Sequence, residues 1–143
     1  MTTKAWVSRQ VLNWVRHLRQ TSGFDRIDLA GPIGDDWEPT ARYMHVEIGA
    51  AEVPTGMTIA DFITLLTAKV ETLRAEMIAY AANFLAEKTG RPVEKFTVRT
   101  KLTAVQGYEL GGAMVMRYNR TIELYPNMTV AGLINALLGI KPE

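Results

Sequence analysis

The sequence predicts an α+β fold: a small antiparallel sheet of three to four strands, one face covered by a long central helix and by helices at the N- and C-terminal ends. Three observations lead there. Between Thr58 and Gly90, apolar residues from Ile59 to Phe84 recur at alternating steps of four and three, which is a helical period. Residues 43–48 alternate, with Met44, Val46 and Ile48 on one side and Tyr43, His45 and Glu47 on the other. Residues 93–105 alternate again, setting Phe96, Val98, Leu102 and Ala104 against Lys95, Thr97, Arg99, Lys101 and Thr103. The 143 residues suit one domain spanning 1–143.

The first element is a helix over 3–21. Val7, Val11, Trp14, Val15 and Leu18 fall on one face, Arg9, Asn13 and Arg16 fall away from it, and Gly23 ends it. Phe24 to Pro39 reads as a loop, with Gly31-Pro32 and Gly34-Asp35 as turn signals. The strand at 43–48 follows, and 49–56 leads to the central helix. Thr58 is suited to cap that helix, Asp61 favours its first turn, and Gly90 and Pro92 stop it. At 1.5 Å per residue its length is about 45 Å, more than a core of this size needs, which leaves part of the stripe for a partner.

Past the strand at 93–105, Gln106-Gly107 reads as a turn and Gly111-Gly112 as an interruption of the returning strand. Met114, Met116 and Tyr118 alternate on that strand, and the pattern leaves open whether 113–125 is one strand or a hairpin. Thr129 caps a last helix with Val130, Leu133, Ile134, Leu137 and Leu138 on its apolar face, closed by Gly139 and followed by a short tail, 141–143. No internal repeat is visible.

Composition narrows the function classes. Net charge is +1, unevenly spread: residues 1–24 carry four cations and no acid, and residues 25–61 carry eight acids against Arg26 and Arg42. The absence of cysteine removes disulfides and thiolate metal sites and fits a cytoplasmic protein. No stretch is long and apolar enough for a membrane span, and the first apolar run is broken by Arg9, Asn13 and Arg16, unlike a signal peptide. There is no nucleophile elbow, no phosphate-cradling glycine loop and no dinucleotide fingerprint, so no cofactor is implied.

The reading that follows is a binding or interaction protein, a homodimer by the commonness of two-fold assemblies. It would hold a small apolar ligand between the long helix and the strand at 113–118. Met77, Tyr80, Met114, Met116 and Tyr118 would line that pocket, methionine being adaptable to apolar ligands. The alternative is a cofactor-free acid–base enzyme of hydrolase or isomerase type. His45 is the candidate for proton transfer, Glu47 would point the same way on the strand, and Asp36 stands next to Trp37 in the acidic run 35–38. A third reading places nucleic acid on a basic sheet face of Lys95, Arg99, Lys101, Arg117 and Arg120, with Tyr118 as a stacking platform; the near-neutral net charge weighs against it.

Overall fold

The computed structural model describes residues 2–21 and 26–140. Five α-helices run through them: α1 Thr3–Leu18, α2 Trp37–Tyr43, α3 Ile59–Thr89, α4 Ala104–Tyr118 and α5 Val130–Leu138. No sheet forms among the described residues. The strand-like pairing present is two isolated antiparallel bridges, Pro32 with Thr58 and Lys101 with Thr129. The expected α+β fold is therefore wrong, and the protein is mostly helical. The expected helix stop at Gly23, the loop start at Phe24 and the tail at 141–143 lie outside the described residues.

The helices with both a capping residue and a stop were legible. Thr58 Oγ1 accepts the Asp61 amide at 3.1 Å, and Gly90 takes φ +69° just past α3. Thr129 Oγ1 likewise accepts the Gly132 amide at 3.0 Å, and Gly139 closes α5 at φ +81°. α1 starts on Thr2 and ends three residues before the expected limit.

The three expected strands dissolve into other elements. Tyr43 is the last residue of α2, Met44 and His45 turn the chain, and 46–49 belong to no element. Trp37 to Pro39 open α2 rather than lying in a loop, and a proline is tolerated in a helix's first turn. Residues 93–105 form a 3-10 turn at Val93–Lys95, a turn at 98–99 and the single bridge of Lys101. The returning strand is α4. A reciprocal cap starts it: Thr103 Oγ1 accepts the Gln106 amide at 3.1 Å, while Gln106 Oε1 accepts the Thr103 amide at 3.0 Å. Gly111 costs this helix about 1 kcal/mol of propensity relative to alanine. In exchange it allows a close approach, since a Cβ there would lie 3.2 Å from Leu124 Cδ2 and 3.6 Å from Leu133 Cδ1.

By its contacts the chain divides into two compact units, Met1–Thr72 and Leu73–Glu143, and the boundary falls inside α3. The buried residues of the first unit include Val7, Val11 and Val15 of α1 and Ile59, Phe62, Ile63 and Leu66 of α3. Those of the second include Met77, Ala81 and Leu85 of α3 and Val130, Leu133, Ile134 and Leu137 of α5.

These two lists match position for position, and the backbone repeats with them. In the first unit the Ile33 amide donates to the Met57 carbonyl, Ile59 to Gly31 and Ala60 to Leu29. In the second, Leu102 donates to Met128, Val130 to Thr100 and Ala131 to Val98. Asp28 Oδ1 accepts the Ala30 amide where Thr97 Oγ1 accepts the Arg99 amide. His45 and Asn119, both left-handed at φ +54° and +50°, end α2 and α4. The bond from Val46 to Ala41 beyond the one is matched by that from Arg120 to Val115 beyond the other, as in a Schellman stop. The protein is thus built from two versions of one helical module. In sequence the likeness is confined to short strings such as Met57-Thr58-Ile59-Ala60 and Met128-Thr129-Val130-Ala131. The modules differ most in their middle helix, 7 residues in α2 and 15 in α4.

Candidate interaction site

The acid–base residues sit in structural roles. Asp36 Oδ2 accepts Arg19 Nε at 2.8 Å, and Glu38 pairs with Arg42 at 3.0 Å. His45 is the exposed left-handed residue that closes α2, a conformation in which histidine is enriched among non-glycine residues. Glu47 is exposed beyond it. The strand that was to place His45 and Glu47 on one face does not exist.

The expected ligand pocket loses its wall for the same reason. Met77 and Met114 are fully buried in the core of the second unit, and Tyr80 and Tyr118 pack against that core. The two tyrosine rings meet edge to face at 6.3 Å, and the Arg117 guanidinium lies 4.8 Å from the Tyr80 ring centre. Burial pushes the Tyr118 phenol up from its ordinary value. Met116 is two helical positions from Met114 and from Tyr118, so it faces away from both and is 86% exposed.

The basic residues do not share a sheet face either. Lys95, Arg99 and Lys101 are exposed on the segment leading into α4. Arg117 lies 3.6 Å from Glu76 on α3. Arg120 donates to the Leu137 carbonyl at 3.3 Å, in the last turn of α5, where a cation complements the helix dipole. Its burial lowers the guanidinium's pKa.

A different surface emerges on α4. Val105 is 65% exposed and Tyr108 is 76% exposed, and both lie with Met116 on one helical face. Gly112 sits between Tyr108 and Met116 on that face, and no atom lies within 4 Å of where its Cβ would be. The result is a largely apolar face with a notch, which also carries exposed Glu109 one helical turn after Val105. Beside the start of α4 is a groove of about 430 Å³, lined by Leu102, Ala104, Gly107, Leu124, Tyr125 and Met128 among others. A second, larger cavity of about 730 Å³ lies between the 121–125 segment and α5, with Ile122, Tyr125, Asn135, Ala136 and Ile140 in its wall. Gly132 makes room for Tyr125, whose hydroxyl lies 2.6 Å from the place a Cβ would take. None of the five expected ligand residues lines either cavity.

The repeat supplies an internal control for the α4 ridge. With Leu102 matched to Ile33, Val105 stands where the first unit has Asp36, and Tyr108 where it has Pro39. Asp36 is paired with Arg19. The module therefore builds with a charged residue and a proline at those positions, and its core does not require Val105 and Tyr108. The sequence held this signal as an apolar period from Val105 through Tyr108 to Met116. Placing a turn at 106–107 hid it.

Comparison of the chain with known protein families, with curated proteins and with solved structures finds no match.

Proposed function

We propose that this chain is a binding protein whose second unit docks a partner protein on the outward face of α4. The observation that supports the reading is the exposed trio Val105, Tyr108 and Met116, the first two standing where the first unit has Asp36 and Pro39. Large apolar side chains on one face contribute nothing to the core while they face water. Each contributes about 1.5–3 kcal/mol when a partner buries it. Tyrosine is also among the residue types that dominate binding energy at protein interfaces. The reading keeps the expectation of a binding protein and moves the binding element from a pocket to a helix face.

A photo-crosslinking amino acid placed at residue 108 or 116 in the producing cells tests this. Discrete crosslinked species are expected from both positions and not from residue 83, on an exposed part of α3. Equal crosslinking from all three, or none from 108 and 116, would refute the reading.

A further inference from the structure

The repeat also matches the two units along the segments that lead into α3 and α5. Glu52-Val53 precedes Met57 at the same spacing as Glu123-Leu124 precedes Met128, and the left-handed Gly56 and Asn127 hold the same place in each. Counting on from the matched Ile59 and Val130, Thr64 corresponds to Asn135 and Lys69 to Ile140. In the first unit these polar groups are satisfied. Lys69 Nζ lies 2.6 Å from Glu52 Oε1, and Thr64 Oγ1 donates to the Ala60 carbonyl at 3.2 Å within its own helix.

In the second unit the same positions border the cavity of about 730 Å³ between the 121–125 segment and α5. Glu123 keeps the carboxylate and is exposed, and among the described residues no cation pairs with it. Ile140 brings a hydrocarbon where the first unit brings an ammonium. Asn135 lines the cavity, and its buried side-chain oxygen accepts no hydrogen bond among the described residues. Buried polar atoms are seldom left so. The last torsion of asparagine is broad, so rotation about it turns the carboxamide toward a ligand. Ile122, Tyr125 and Ala136 add apolar wall, and the volume falls in the range of small-molecule sites, about 300–1,000 Å³. We propose that this cavity binds a small organic cation, an amine on a compact apolar body, whose ammonium takes the part that Lys69 plays in the first unit. The ammonium donates to the Glu123 carboxylate and to Asn135, while Ile122, Tyr125 and Ile140 cover the hydrocarbon. This site is independent of the α4 face.

Titration of the intact chain with phenethylamine at millimolar concentrations, followed by proton–nitrogen correlation spectra, tests the proposal. Saturable shifts are expected at amides of 122–125 and 132–140. Phenethyl alcohol, which has the same shape and no charge, should bind more weakly by about threefold or more. Phenethylamine should lose about as much on Glu123→Gln, whose exposed site leaves the helical circular dichroism unchanged. Ile140→Lys rebuilds the ion pair of the first unit and should likewise weaken the amine by about threefold or more. A smaller loss in any of these comparisons overturns the proposal, as does the lack of a saturable shift or a shift confined to other amides. Amine binding seen only in Lys141→Ala would give the site to the chain's own lysine and overturns it too.

Discussion

The repeat makes a matched pair of core substitutions informative. Ile63 and Ile134 occupy the same place in the two modules, 3% and 0% exposed. Replacing either by valine removes one buried methylene and is expected to cost about 1 kcal/mol. With a urea dependence of about 1 kcal/mol per molar for so small a unit, the unfolding midpoint should fall by about 1 M. The chain has three tryptophans, Trp6, Trp14 and Trp37, all in the first unit. Tryptophan fluorescence therefore reports unit one, while far-ultraviolet circular dichroism reports all the helices. Ile63→Val should move the fluorescence midpoint by about the full molar. Ile134→Val should leave that midpoint in place and lower part of the dichroism transition. Should Ile134→Val displace the fluorescence curve as far as Ile63→Val does, the independent unfolding of the two modules is refuted.

Three further outcomes follow from local geometry. Thr103→Ala removes one half of the cap on α4 and should cost about 1 kcal/mol by chemical denaturation, with Thr103→Ser recovering most of it. Asn119→Gly should leave stability unchanged or raise it by about 0.5 kcal/mol, because glycine takes the left-handed stop of α4 without a Cβ penalty; a loss of that size or more would show that the carboxamide does more than end a helix. The Glu52 carboxyl is held below its ordinary value by the Lys69 ammonium and by the Gly49 amide. A carboxyl so depressed contributes stability above its unfolded value and loses it as the pH falls through the folded one. Carbon-13 titration should show the depression in the native chain and its reduction in Lys69→Ala.

What the sequence disclosed, and what it hid, follows from the kind of signal each element carries. α3 and α5 have a capping threonine, an unbroken apolar stripe and a left-handed glycine, and each of these acts locally. α4 was hidden because Gly107, Gly111 and Gly112 lower its propensity and resemble turn and bulge residues, although its reciprocal cap at Thr103 and Gln106 was there to read. The alternation at 93–105 is real in that Leu102 is buried and Lys101 exposed. It reflects an extended connection pinned by one bridge rather than a strand in a ladder. The repeat was masked by the unequal middle helices, which break the register between the two short strings that match. For the site, residue types suggestive of chemistry at 36, 45 and 47 belong to an ion pair, a helix stop and an open connection. The face on α4 became visible only once 104–118 was known to be a helix.

The position of the unit boundary inside α3 has a practical consequence. Domains in most proteins are parted by an exposed connection that a protease can reach. Here the last helix of one module runs on as the first helix of the next, with hydrogen-bonded backbone across residues 72 and 73. Mild digestion should cut within modules, in the connections around 46–56 and 91–102, rather than at their junction. The fragments it releases would then be about two-thirds or about one and a third of a module long, and a survey of this protein by its proteolytic pieces would miss the repeat.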